Sequence, residues 1–329
     1  MQKNEKILTL TAQNNIDENT SESTIQKMIT PISRQHMCAV IVLYRPDPSA
    51  LEHAKRLSAR LPVIAIDNTE AEHQLSHTKF KFCHRYLANS QNLGIATALN
   101  IGIKLAKEQD KHWCLLLDQD SIIDDAFLDA ISAYPSNVTN IAALTPAYYA
   151  QNLEKYGDLI QVRACSIRRI KLDDESTQKK APFIPISYAI TSGSLVNLSI
   201  MDKIGLHDED LFIDFVDIEW GLRANDKGYQ VLANTNAILI QQLGDKPLTL
   251  MNKKVVNHSS TRHYYYFRNV MLMLRKPHIP WIWKVYELAK LPARFMIYSL
   301  FAYPRAEQCS SMLKGIWHGL NNKKGIKPQ

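Results

Sequence analysis

A chain of 329 residues, 46% apolar and 22% charged with a net charge of +7, suits one large α/β domain or two ordinary ones and can bury a real core. Its five cysteines, Cys38, Cys83, Cys114, Cys165 and Cys309, are scattered and form no C-x-x-C pair, which excludes a zinc ribbon or disulfide framework and favours a reducing cytosol. The mean charge hides an asymmetry: residues 251–329 carry 14 Lys+Arg against 2 Asp+Glu while the remainder is acidic, so the tail suits a polyanion, either nucleic acid or an anionic membrane.

Residues 1–35 are polar, rich in Asn, Thr, Ser, Gln and Glu, and lack the apolar core of a signal peptide; they read as a flexible extension. The continuous apolar run Cys38–Tyr44 predicts a strand covered on both faces. Pro48 opens a helical pattern through Leu51, Ala54 and Leu57. Val63–Ile66 predicts a second strand, ending at Asp67 and Asn68, and Phe80–Tyr86 a third. Ile95, Leu99, Ile103 and Ala106 mark a helix over Gly94–Glu108. A strand then ends at Asp118, a helix follows from about Asp124 to Tyr134, and Ile141–Thr145 forms a short strand. This alternation predicts a mostly parallel sheet with helices on both faces.

In such sheets ligands bind beyond the carboxyl ends of the strands, where Asp67, Asn68, Asp118 and Asp120 fall. Asp118 and Asp120 are two apart at a strand end, so they point the same way. Adjacent carboxylates repel, and a divalent metal carrying a diphosphate is the natural counter-charge; an Asp-x-Asp is also a common solvated turn.

The middle is less regular. Asp173–Lys180 reads as a charged loop and Phe183–Ile190 as a strand leading into Thr191-Ser192-Gly193-Ser194. Six acids then fall between Asp208 and Glu219, interleaved with Leu211, Phe212, Ile213, Phe215 and Trp220. Acids at a helix start are a routine charge pattern, but a carboxylate among aromatics gains the basicity of a general base. From Ile279 to Tyr298, Trp and Tyr alternate with Lys and Arg, and no stretch reaches the ~18 uncharged residues of a membrane span. That mixture is typical of helices lying in a membrane interface, and ordinary packed helices with basic outer faces give the same pattern.

In this order the motifs resemble the family-2 glycosyltransferases with a GT-A fold, and in particular their bacterial rhamnosyltransferase branch. The resemblance runs from about His36 to Gly325. Val40-Ile41-Val42-Leu43-Tyr44-Arg45-Pro46-Asp47 is similar to the family's first strand and donor-binding turn, and Ile66-Asp67-Asn68 to its nucleobase motif. Asn92-Leu93-Gly94 through Gly102 resembles the Asn-x-Gly-x-x-x-Ala-x-Asn-x-Gly run, and Leu117–Ser121 the metal motif. Phe212–Arg223 resembles the acidic motif that carries the base, with Val216 where many members have Glu. Arg262–Asn269 resembles the basic–aromatic motif of the rhamnosyltransferase branch.

The resemblance implies a GT-A catalytic domain over 36–270 and a basic, aromatic, membrane-associating helical region over 271–329. It implies Asp217 as catalytic base and Mg²⁺ or Mn²⁺ on Asp118 and Asp120. Donor contacts would come from Tyr44, Arg45, Asp67, Asn68, Asn92, Gly94, Asp118, Asp120, His263 and Arg268, and acceptor contacts from Ser192, Gly193, Ser194, Glu219 and Trp220. The implied reaction moves a sugar with inversion, L-rhamnose from dTDP-L-rhamnose, onto a lipid-linked intermediate of O-antigen lipopolysaccharide or capsule at the inner face of the cytoplasmic membrane, without nucleic acid. The alternatives are another donor such as UDP-galactofuranose, a nucleotidyltransferase, or a non-enzymatic nucleic-acid- or membrane-binding protein. The chain lacks the Gly-rich basic first loop of a nucleotidyltransferase, and a nucleic-acid binder leaves the acidic centre unexplained.

Overall fold

The computed structural model describes residues 29–172, 182–242, 244, 248–250 and 253–328. The elements run β1 (Ile29–Pro31), β2 (Met37–Leu43), α1 (Pro48–Ser58), β3 (Val63–Asp67), β4 (Arg85–Ala88), α2 (Ile95–Glu108), β5 (Trp113–Asp118), α3 (Asp125–Ile131), β6 (Ala133–Pro135) and β7 (Ile141–Ala150). There follow β8 (Lys155–Tyr156), β9 (Leu159–Val162), β10 (Ile167–Ile170), β11 (Phe183–Ile186), β12 (Ser194–Asn197), α4 (Met201–Ile204), α5 (Val216–Asp226) and β13 (Gln230–Gln241). A short hairpin of β14 (Leu248–Leu250) and β15 (Lys253–Val255) precedes the helices α6 (Ser260–Leu274), α7 (Trp281–Phe301) and α8 (Arg305–Leu320).

A nine-stranded sheet in the order β11-β13-β7-β12-β5-β2-β3-β4, with β8 beside β7, forms the centre. β5, β2, β3 and β4 are parallel, as are β7 and β13. β12 runs antiparallel between β5 and β7 and joins the two parallel halves. The sheet is therefore mixed, with one continuous parallel half, β5-β2-β3-β4. The expected third strand begins at Arg85, because residues 77–80 take a 3-10 turn.

The apolar run of β2 is buried on both faces, as a parallel central strand requires. Cys38, Val40 and Val42 meet Leu99, Ile103 and Ala106 of α2. Met37, Ala39, Ile41 and Leu43 meet Ala54 and Leu57 of α1 and Phe127 and Leu128 of α3. A third cluster, around Phe267, Trp283, Leu291 and Met312, packs α6, α7 and α8 against Leu211, Val216 and Leu222. It carries the C-terminal helices onto the edge where the parallel strands end.

Of the extension expected over 1–35, residues 1–28 lie outside the described residues, as does the loop 173–180. Ile29–Pro31 is not part of a free tail: it forms β1 and pairs with β6, placing Ile32 in the core. Among the described residues no helix is long and apolar enough to cross a membrane.

Gly102 marks the closest approach of α2 to the sheet: a Cβ there would lie 2.3 Å from Val40 Cγ1. Gly102→Ala should lower unfolding stability by about 1–3 kcal/mol through overpacking, read as a lower urea midpoint with an unchanged slope.

Candidate active site

β5 delivers Asp118 to the carboxyl edge of the sheet, and the turn that follows sets Asp120 beside it. Both face a cleft of about 480 Å³, lined also by Ser192, Asp214, Asp217, Arg262 and Tyr266. The antiparallel β12 makes this edge possible. Its entry loop seats Ser192 Oγ 3.2 Å from the donating Asp118 N–H and 2.6 Å from Ser121 Oγ. Gly193 (φ +79°) closes against Pro146, where a Cβ would clash.

The opposite wall is a strained loop. Phe212, Asp214 and Phe215 all have positive φ, a conformation that costs non-glycine residues free energy and persists only when the surroundings impose it. In this loop they do. Asn269 Nδ2 donates to the carbonyls of Leu211, Ile213 and Asp214 at 2.9, 2.7 and 2.9 Å. Arg268, fully buried, donates to the carbonyls of Asp210, Leu211 and Gly325 and to Asn269 Oδ1. Its guanidinium stacks over Tyr265 at 4.8 Å. From this loop α5 starts with Asp217 in its first turn.

Electrostatics follow from this crowding. Asp118 is open to the cleft, yet the protein crowded around it desolvates its carboxyl and, with the neighbouring Asp120, raises it to about 6; Arg262 opposes the rise and Asp217 adds to it. Burial likewise raises Asp217 to about 6, against the hydrogen bond from the Ile218 N–H. Arg262 donates to Asp214 at 2.6 Å. Burial would lower its pKa, but Asp214, Asp118 and Asp217 around it outweigh that, and it stays charged.

Asp118 and Asp120 accept no hydrogen bond from any described residue, and among those residues no group of three His, Cys, Asp or Glu forms a metal site. Two free carboxylates whose mutual repulsion raises one of them fit a hard divalent cation. Such ions are commonly held by one or two carboxylates and completed by substrate phosphates.

Several expected contacts are placed elsewhere. Arg268 and His263 do not reach the cleft. Arg268 braces the loop, and His263 is buried, stacked on Tyr298 and bonded to Gln308, with burial lowering its pKa. Both fall on the inward side of α6. Glu219 does not line the cleft either: it is 1% exposed and lies against Arg223, His278 and Lys276. Burial would raise its carboxyl, but the approach of His278 and Arg223 holds it down to about 2. Trp220 is core, donating from Nε1 to the Gly205 carbonyl. Ser194 donates to the Ile190 carbonyl and is buried, as Gly193 is packed; of the three acceptor-loop residues only Ser192 lines the cleft.

On the donor side, Asp67 is fully buried, and its two oxygens accept from the Thr69 N–H and the Tyr86 hydroxyl. Asn68 bonds the Gly94 carbonyl and Asn89. Asn92 Oδ1 caps the Gly94 N–H, and Gly94 (φ +84°) leaves room for Phe212, whose carbonyl accepts from Ile95 N–H. None of Asp67, Asn68, Asn92 and Gly94 lines the cleft, and neither do Tyr44 and Arg45, which stand exposed and are each bonded to Glu70. Sequence reasoning missed Arg262, Asp214 and Tyr266. The signal was helical phase: Arg262 and Tyr266 are four apart on α6 and share a face.

Comparison with known proteins places the chain in a family. The family model for glycosyl transferase family 2 matches residues 63–205. The chain is 30% identical over 257 residues to a protein of Shigella flexneri named dTDP-rhamnosyl transferase RfbF, covering 76% of this chain and 83% of that one. A crystal structure of GalNAc-T7 with UDP, GalNAc and Mn²⁺ superposes with a TM-score of 0.54 at 13% identity, over 87% of this chain and 56% of that protein's. The chain belongs to glycosyl transferase family 2. It is a glycosyltransferase, built on a mixed α/β sheet flanked by helices.

The two arginines of α6 and the half-buried Asp217 of α5 can be told apart in solution. Arg268→Met should cost at least about 3 kcal/mol, since it strands several buried carbonyls; Arg262→Met should change stability by no more than about 1 kcal/mol while weakening nucleotide binding, compared by chemical denaturation and calorimetry. Asp217 ionises near 3.9 when unfolded and at about 6 when folded. The protonated folded form is thus favoured, and that contribution, complete below about pH 4, is lost as pH rises through about 6. In EDTA, Asp217→Asn should gain melting temperature over wild type from pH 4 to 7; a constant difference would remove Asp217 from a desolvated site.

Proposed function

We propose that the protein is an inverting rhamnosyltransferase that takes L-rhamnose from dTDP-L-rhamnose. Its acceptor is a lipid-linked intermediate of a cell-surface polysaccharide, O-antigen or capsule, at the cytoplasmic leaflet. The observation that carries this reading is one cleft lined by two carboxylates that accept no hydrogen bond from any described residue, by the half-buried acid Asp217 and by the Arg262 guanidinium. The choice of donor is supported by the 30% identity to RfbF, a protein named for dTDP-rhamnosyl transfer.

In this reading Asp118 and Asp120 hold Mg²⁺ or Mn²⁺, which neutralises the leaving diphosphate when bound. Arg262 adds a fixed positive charge at the same place. Tyr44 and Arg45 contact the nucleoside beyond the carboxyl end of β2. Asp217 accepts the proton of the attacking acceptor hydroxyl, and its raised pKa suits a base working near neutrality. One base and one displacement invert the anomeric centre.

The membrane face is α7 and α8. Trp281, Val285, Leu288, Met296 and Leu300 recur at helical spacing and are exposed, and Trp317 is 65% exposed on α8. Exposed Arg305, Lys314 and Lys323 lie along the same helices and the turn after them. Aromatic and aliphatic side chains beside basic ones suit an anionic lipid interface. Trp283 and Tyr298 belong to the core instead, Lys290 pairs with Glu287, and Arg294 lies over Tyr266; these do not contribute to lipid contact.

Purified protein supplied with dTDP-L-rhamnose and Mn²⁺ should release dTDP in the presence of lipid-linked acceptor and leave UDP-galactofuranose untouched. Asp120→Ala should abolish this release, and Asp217→Asn should slow it by roughly 10²–10⁴-fold; full activity in excess EDTA contradicts the metal. Replacing Arg305, Lys314 and Lys323 with Gln should release the protein from anionic liposomes at low salt, each residue contributing about 1 kcal/mol.

A further inference from the structure

A second cleft, of about 300 Å³, lies beside the first, between the β7–β10 region and α7. Val256 lines both clefts. The wall between them is the hydrogen bond from the Tyr266 hydroxyl, which lines the first, to Glu287 Oε2, which lines the second, at 2.7 Å. Tyr148 and Tyr188 of the second cleft both feel the charge of Asp217 across this wall, burial being the larger reason for their raised pKa values. The second cleft thus opens within electrostatic reach of the proposed base.

Its walls are aromatic: Tyr148, Tyr156, Tyr188 and Tyr286. Gly157 permits this, because a Cβ there would lie 1.9 Å from the Tyr148 ring. The charged groups are mostly matched. Arg169 lies 3.6 Å from Asp158, Lys290 bonds Glu287, and both cations flank the Tyr286 ring at 5.7 and 4.6 Å. Arg169 also donates to the Tyr286 hydroxyl. Cations already neutralised by carboxylates attract an anion weakly. They leave a ring of donors and acceptors around aromatic faces, the chemistry that recognises a polyol with an apolar C–H face.

We propose that this cleft is the acceptor subsite and binds the neutral hexopyranose unit whose hydroxyl is glycosylated, with Tyr286 and Tyr156 as stacking surfaces and Asp158 as hydroxyl acceptor. The inference rests on the glycosyltransferase reading of the neighbouring cleft. It moves acceptor recognition away from Glu219 and Trp220. It also gives α7 two roles: Tyr286, Glu287 and Lys290 line the cleft, while Trp281, Val285 and Leu288 lie exposed.

The test uses the full chain with dTDP and Mn²⁺ and a panel of methyl hexopyranosides of gluco, galacto, manno, rhamno and N-acetylglucosamine configuration, followed by saturation-transfer NMR. At least one glycoside should bind, and Tyr286→Ala and Tyr156→Ala should each weaken it about tenfold, the scale of one lost stacked ring. Tyr286→Phe should retain it, and dTDP-L-rhamnose affinity should be unchanged in all three. Unaltered glycoside binding in the folded Tyr156→Ala/Tyr286→Ala double variant, or no glycoside bound by wild type while the donor binds, overturns the proposal. Loss of donor binding by wild type instead removes the reading of the first cleft.

Discussion

The arrangement at the active edge depends on the hold that Arg268 and Asn269 keep on residues 210–215. Three non-glycine residues with positive φ would relax if the loop were free. Two side chains of one helix, one charged and one an amide, take up the loop's inward carbonyls and set its path. Phe212 then packs into the space left by Gly94, and Asp214 turns outward to Arg262. Asp217, three residues beyond Asp214, emerges at the start of α5 on the cleft that Asp118 also lines.

This coupling divides α6 into two sides with different work. The inward side, with His263, Tyr264, Phe267, Arg268 and Asn269, is buried and fixes the loop. The outward side, with Arg262 and Tyr266, meets the cleft. Glu219 extends the same logic along α5. By gathering Arg223, Lys276 and His278 it ties the helix of the proposed base to the turn between α6 and α7. A buried charge cluster of this kind is costly to break from one side. Asp217, Arg262 and the exposed C-terminal face therefore belong to one packed unit.

Much of this was legible in the sequence. The apolar runs at Cys38, Val63 and Trp113 and the helical spacing of Ile95–Ala106 announce the parallel half, because doubly covered strands and amphipathic helices leave strong periodic signals. Asp118, Asp120 and Asp217 stand out as acids at the ends of such elements. What stayed hidden depends on side-chain direction. Arg262 and Arg268 are equally basic in the motif, and only the phase of α6 separates the one in the cleft from the one in the core. Asp67 and Glu219 look like ligands, yet their oxygens are occupied by Thr69, Tyr86 and Arg223. Insertion of β12 against the direction of its neighbours, which carries Ser192 to Asp118, is a long-range pairing that no local pattern encodes.

The proposed reaction is a single displacement at one cleft, with Asp217 as its base and no covalent sugar–enzyme intermediate. The anomeric configuration of the first-formed product, measured by the one-bond ¹³C–¹H coupling at its C1, tests this most directly. Inversion relative to the donor sugar is the predicted result. Retention would require a second displacement and a protein nucleophile, and would contradict Asp217 acting as a base alone.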